Sequence, residues 1–355
     1  MKKDNRKYAI DFIKVICTVL IVFHHYQMVT GLRFENNINF YDGKIYFGFI
    51  VELFFIISGL FMYRDEKKID INTKYIDYIK GKAKRLLPLV CISAIVFTGL
   101  LVYYIEGLKL NWFDVKPSLL GTITASLGIQ YGGVFKESRV NAPTWYINIL
   151  LICYTIYFFI IKISKKKNIS INAMCLIMIL IGIGLYNYKV SFPLTTEYCV
   201  RGYYSFFFGV ILGKYLYNSD KIINKKDILI SIITILSIVL LTKYYYSFVK
   251  NGYNFILTFL LYPSILVILS TTKMEKILHF KFISFLARIS YNVYIWHYPF
   301  LLLIHIILHK MILEFNLLTL ESMLLYTLFC FIIGIISYLC IEIPIGKRLS
   351  KKNEF

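Results

Sequence analysis

The first long apolar stretch of the chain holds four residues that do not belong in hydrocarbon: Asp11, Lys14, His24 and His25. An ionisable side chain at that depth costs about 2.5–3.5 kcal/mol unless it reaches the interface, so each is a functional candidate. Lys14 and His25 are eleven residues apart. At about 100° per residue this is roughly three turns plus 20°, which sets both on one helical face about 16 Å apart along the axis. Asp11 joins that face, and His24 is turned about 80° away from it. The chemistry suggested is a cation near the inner end of a helix and an imidazole base near its outer third, a site reached from both sides. The plainer alternative has Lys14 reaching inward to pair with Asp11 while His25 closes an interhelical hydrogen bond.

A second apolar run holds Glu52 about seven residues from its outer end and continues through Phe54, Phe55, Ser58 and Gly59. Glu52 stands level with His25, where a carboxylate suits accepting the far ring N–H, fixing the tautomer and raising the basicity of the imidazole. Ser58 and Gly59 read as packing, because a missing side chain admits close helix contact. Lys80, Lys82, Lys84 and Arg85 crowd the segment before Pro88. Such a run fixes topology, binds lipid head groups or suits a phosphorylated cytoplasmic donor such as coenzyme A, and composition does not choose among these. Near the other end of the chain His297 falls at mid-depth of a span, two residues before Pro299. Proline's missing N–H loosens a helix where a ligand can approach. Glu342, at the inner end of the last span, is placed to pair with an inner-face base. Trp145 and Tyr146, just after Pro143, fit an interfacial aromatic belt as readily as a sugar-stacking surface.

The elements that must position these residues follow from composition. The chain has 355 residues, of which 58% are hydrophobic and 17% charged, with a mean hydropathy of +0.65. Those values exclude an ordinary soluble globule. Apolar runs near 8–30, 45–63, 86–105, 143–163, 171–187, 199–217, 228–247, 254–272, 286–309 and 321–343 predict an all-α polytopic membrane protein with about ten transmembrane helices. With the N-terminus inside, inner segments hold 28 Lys and Arg and outer segments 11, so both termini are expected to be cytoplasmic. The first run carries too many ionisable residues, and no small-residue cleavage site, to be a removable signal peptide. Topology and anionic lipid account for the net charge of +20, and no nucleic-acid partner is expected. Seven scattered cysteines without CxxC spacing argue for neither a disulfide framework nor a zinc site, and the dispersed histidines give no reason to expect a metal. The longest polar connections, 64–85 and 106–142, are too short for an added soluble domain, so 1–355 reads as a single membrane-embedded domain.

In order along the chain these segments resemble the bacterial membrane-bound acyltransferase family 3, which includes polysaccharide O-acetyltransferases. That family has an Asp and then Arg-x10-His on its first helix, matched here by Asp11, Lys14 and His25, with Lys in place of Arg. Its acidic residue before a Phe-Phe…Ser-Gly run is matched by Glu52, Phe54, Phe55, Ser58 and Gly59. Its Arg-x-x-Pro element is matched by Arg85 and Pro88, with Lys82 at a second basic position. The late Ser-Tyr…Tyr-x-x-His-x-Pro is matched by Ser290, Tyr291, Tyr294, His297 and Pro299, and a terminal Glu-x-Pro by Glu342 and Pro344. The Ser-x-x-x-Glu continuation of members with an added extracytoplasmic domain is missing after Trp145, so the chain looks like the compact subgroup.

What the resemblance implies is transfer of an acyl group, foremost acetyl, from cytoplasmic acyl-coenzyme A to a hydroxyl of an extracytoplasmic cell-envelope glycan. The setting would be the bacterial cytoplasmic membrane, with polysaccharide export or synthesis proteins as partners and no tightly bound cofactor. Hydroxyl attack on a thioester needs a base and a cation or donor near the developing oxyanion. In this scheme His25 is the base, Glu52 orients it, and Lys14, Lys82 and Arg85 anchor the donor. His297 is the second catalytic candidate, as donor-site ligand or acyl relay; Trp145 and Tyr146 face the acceptor; Asp11, Ser58, Gly59 and Glu342 are structural. The alternatives are a transporter or flippase for a small polar or lipid-linked substrate, which uses the same intramembrane residue types, and a catalytically inactive partner of polysaccharide export. Inverted symmetry between halves would favour the transporter, and no internal repeat is evident.

Overall fold

The computed structural model describes residues 7–35, 39–43, 47–111, 113, 115–133, 140–188, 192–217, 223–311 and 315–351. Among these residues all regular structure is helical. In chain order the helices are α1 (Tyr8–Thr30), α2 (Ile50–Leu60), α3 (Tyr63–Lys68), α4 (Tyr75–Val102), α5 (Leu119–Ser126), α6 (Trp145–Lys167), α7 (Ile171–Tyr188), α8 (Glu197–Tyr217) and α9 (Lys225–Tyr244). Two single turns, α10 (Tyr246–Val249) and α11 (Tyr253–Ile256), precede α12 (Tyr262–Leu269), α13 (Thr272–Ile277), α14 (Lys281–Lys310), α15 (Leu320–Ser337) and α16 (Ile343–Lys351). Five-residue π-turns extend α4 (Tyr103–Gly107), lead into α12 (Leu257–Leu261) and join α15 to α16 (Tyr338–Glu342).

Nine stretches among the described residues are long and apolar enough to cross a membrane, and they coincide with nine of the ten expected runs. The chain is an all-α, multi-pass membrane protein. The tenth run, 199–217, also forms a helix, α8, but α8 is not among the nine. It carries Glu197, Arg201 and Lys214, and from Cys199 to Phe207 every residue is buried. A helix enclosed by protein does not need a lipid-compatible surface, so polar groups cost it less.

The described chain gathers into two compact units. The first comprises Met1–His24, Arg33–Lys68 and Ser205–Arg288. In it α2 and the second half of α8 meet backbone to backbone. A Cβ on Gly59 would stand 2.1 Å from the Phe206 carbonyl oxygen, one on Gly209 2.3 Å from that of Ile56, and one on Gly213 2.1 Å from that of Leu60. Gly209 and Gly213 are spaced as GxxxG, and nothing larger fits at any of the three positions. In lipid, where burying apolar surface against apolar surface gains little, such close packing holds helices together. Polar clasps add to it: Lys214 Nζ pairs with Glu66 at 2.6 Å, and the Tyr262 hydroxyl donates to the Phe49 carbonyl at 2.9 Å.

The second unit comprises His25–Leu32, Ile69–Tyr204 and Ile289–Phe355. Here the hydroxyls of Tyr75 and Thr155 bond at 2.9 Å to tie α4 to α6. Helix α6 ends at Asn168, whose φ of 54° gives the left-handed turn that stops it. Gly182 lets α7 approach the start of α8, since a Cβ there would lie 2.9 Å from the Tyr204 nitrogen. Gly334 does the same between α15 and α14, where a Cβ would come within 2.6 Å of Val293 Cγ2. The turn of α14 that carries His297 lies one turn beyond Val293.

Candidate active site

Pro299 interrupts α14, having no N–H to give the Ile295 carbonyl one turn earlier. Asn141 fills that gap: its Nδ2 donates to the Ile295 oxygen at 3.3 Å and to Ser93 Oγ on α4 at 3.2 Å. Asn141 is fully buried and takes a φ of 48°, a conformation that Asn tolerates better than other residues bearing a side chain. The Tyr294 hydroxyl donates to the Pro143 carbonyl in the same segment. Two bonds therefore clasp the segment before α6 to the turn of α14 that presents His297.

His297 is 1% exposed and bonds at both ring nitrogens. Its Nδ1 lies 2.7 Å from the Tyr294 carbonyl oxygen, and its Nε2 lies 3.0 Å from His25 Nδ1. A carbonyl only accepts, so in the neutral ring the proton sits on Nδ1 and Nε2 holds the lone pair. His25 Nδ1 must then donate, which leaves the lone pair of neutral His25 on Nε2. The direction of each bond is dictated by a backbone carbonyl, and the outcome is an oriented imidazole with its basic nitrogen defined. The Tyr326 hydroxyl donates to the His297 carbonyl, and Tyr298 stands edge-on to His25 with ring centroids 6.0 Å apart. His25 itself is half-buried, as a group that must meet substrate has to be.

The remaining residues singled out from sequence are divided between the two units. In the first unit Glu52 is fully buried, Asp11 is buried, Ser58 is half-buried, and Lys14 holds its ammonium 5.6 Å from the centre of the Phe61 ring. His24 lies in that unit too, and its Nδ1–H donates to the Phe40 carbonyl at 2.8 Å. It fixes a loop, in keeping with its different helical face.

The basic run of α4 divides its residues. Lys82 lies 5.3 Å from the centre of the Tyr78 ring and 4.7 Å from that of Tyr154. Lys84 and Arg85 instead line a cavity of about 450 Å³, together with Tyr338 and Glu342 and an apolar wall that includes Pro88 and Ile341. Sequence reasoning pointed to Arg85 and passed over Lys84, because a run of four cations gives no sign of which ones share a face with a helix distant in sequence. Glu342, expected to be structural, borders this cavity.

Trp145 is nearly buried and has the Arg201 guanidinium 5.0 Å from its ring centre and Tyr198 at 5.0 Å between centroids. Tyr146 faces Tyr294, with centroids 5.9 Å apart. Arg201 is 7% exposed and was not singled out from sequence. The signal was available, since it is an ionisable residue inside an expected span, the criterion that marked Lys14 and His25.

No curated protein and no solved structure was found to match this chain. The family model described as an acyltransferase domain does match it, over residues 7–342. That range runs from the first turn of α1 to Glu342 and takes in both histidines of the pair and the basic run of α4. The chain therefore belongs to the acyltransferase 3 family.

Proposed function

We propose that this acyltransferase moves an acetyl group from cytoplasmic acetyl-coenzyme A to a hydroxyl of an extracytoplasmic glycan, working in the bacterial cytoplasmic membrane with both termini inside. The observation that carries the reading is the His25–His297 pair, a base whose tautomer is fixed by a second imidazole and a carbonyl. His25 Nε2 takes the proton of the acceptor hydroxyl as its oxygen bonds to the thioester carbonyl carbon. The C–S bond then breaks, the thiolate leaves and takes that proton from His25, and the products are an ester and free coenzyme A. His297 touches neither substrate; it accepts from His25 Nδ1 and steadies the transient imidazolium. Arg85, joined by Lys84, serves the donor phosphates, and no tightly bound cofactor is needed. Lys14 and Lys82, read from sequence as further donor anchors, are the secondary members of that set. Trp145 and Tyr146 form the acceptor's stacking surface, and polysaccharide synthesis or export proteins supply the glycan.

The test is incubation of purified protein in lipid vesicles with labelled acetyl-coenzyme A and a glycan acceptor. Label should pass to acceptor hydroxyls or, slowly, to water, and the transfer should vanish in His25→Ala. Movement of glycan without consumption of coenzyme A thioester would replace this reading with a transporter. Neither reaction nor movement would leave a structural subunit of an export system.

A further inference from the structure

Trp296, the neighbour of His297, starts a second chain of hydrogen bonds. Its indole N–H donates to Ser337 Oγ at 2.8 Å, the Ser337 hydroxyl donates to Asn292 Oδ1 at 2.8 Å, and Asn292 Nδ2 donates to Glu342 Oε2. The polarity of the chain is forced. An indole can only donate, so the one proton of Ser337 passes on to Asn292, and the amide must turn its NH2 toward Glu342. An ionised carboxylate only accepts, which closes the chain. Asn292 and Ser337 are buried, whereas Glu342 is half-buried at the wall of the cavity that Lys84 and Arg85 also line.

We infer that Trp296, Ser337 and Asn292 are positioning residues that hold Glu342 as a fixed hydrogen-bond acceptor in this cavity. The cavity then selects ligands that present a phosphate and an N–H or O–H donor together. Two cations alone would take any phosphate. A carboxylate beside them repels a bare phosphate, and only a ligand that gives it a proton to accept offsets the repulsion. Coenzyme A thioesters carry such donors in the adenine amine, the ribose hydroxyl and the pantetheine amides; an inorganic phosphate has only acidic O–H groups, which are lost to ionisation as the pH rises above neutral. The inference rests on the proposed reading that this cavity takes the acyl donor.

Binding of coenzyme A and of inorganic pyrophosphate to the full-length protein should be measured separately, alongside KM and kcat for acetyl-coenzyme A. Glu342→Gln is expected to weaken coenzyme A about tenfold while tightening pyrophosphate, because an acceptor loses its charge and a repulsion disappears. Ser337→Ala, remote from any ligand, is expected to raise KM about threefold to tenfold with kcat within about twofold and pyrophosphate binding unchanged. Trp296→Phe should show the same split more weakly. If both ligands weaken together in Glu342→Gln, or Ser337→Ala lowers kcat and leaves KM alone, the chain only fastens α14 to α15 and the inference is overturned. Failure of the donor reading looks different: coenzyme A binding would then be indifferent to Lys84→Ala combined with Arg85→Ala as well.

Discussion

Two adjacent residues of α14, Trp296 and His297, anchor hydrogen-bond chains of opposite sense. In the histidine chain the protons point toward α14: His25 gives to His297, and His297 gives to the Tyr294 carbonyl. Its far end is a lone pair, which is what a general base requires. In the other chain the protons start from α14 and do not end there: they pass from the Trp296 indole to Ser337 of α15, back to Asn292 and on to the Glu342 carboxylate. Its far end is an anchored anion, which suits recognition and not proton transfer. One helix thus builds two kinds of site by choosing the terminal group, a carbonyl in one case and an indole in the other, because each of these can play only one part in a hydrogen bond.

Removing the reactive end of the first chain should have the largest effect. His25→Ala is expected to lower acceptor acylation about 10²–10⁴-fold while coenzyme A binding persists, since a general base acts on the rate and hardly on ground-state affinity. Because both ring nitrogens of His25 are assigned other tasks, Glu52→Gln, which only neutralises a buried carboxylate, should be impaired less, and His24→Ala, which frees a loop from the Phe40 carbonyl, less again. Acylation in membranes with expression matched by immunoblot is the measurement. Near-normal turnover in His25→Ala would end the base assignment.

Next in size is the orienting member. His297→Phe leaves His25 Nδ1–H without its acceptor, and a misplaced base costs about 10²-fold in kcat. His297→Gln retains both an acceptor and a donor and should fall short of that loss. Equal kcat in the two variants would mean that His297 fills space and nothing more.

The smallest expected change strikes both chains at once. Gly334 seats α15 on α14 beside Val293, so Gly334→Leu should destabilise the protein by roughly 1–3 kcal/mol through overpacking. Thermal unfolding in detergent would report the loss, and KM for acetyl-coenzyme A and kcat should worsen together. A change in only one of them would show that the two chains do not share this support.

Much of the fold was legible because hydrocarbon is an unforgiving solvent: nine of the ten apolar runs match stretches that, among the described residues, are long and apolar enough to cross a membrane. The tenth run, 199–217, was read as well and forms α8, but it falls outside the nine because the buried Arg201 and its neighbours need no lipid-compatible surface. The candidate site was legible one residue at a time. His25 and His297 stood out as imidazoles within apolar helices, but a separation of 272 positions conceals that they share a hydrogen bond. Asn141 could not have been found from sequence, because its task is to serve a carbonyl that Pro299 leaves open 158 residues later. The same holds for Gly209 and Gly213, whose spacing is plain while their partner, the backbone of α2, is not.

The π-turn Tyr338–Glu342 between α15 and α16 makes chain length itself a carrier of information. A π-turn holds one residue more than the α-helical turn it replaces. Deleting one residue between Ser337 and Glu342 would let regular α-helical bonding resume, and because the extra residue is taken up by widening the turn, the downstream chain would keep nearly its present rise and direction. The apolar pattern would survive such a deletion and the span would still insert. What would be lost is the widened turn itself, which brings Tyr338, Ile341 and Glu342 to the cavity wall beside Lys84 and Arg85, so the extra residue shapes that wall and not the helix beyond it.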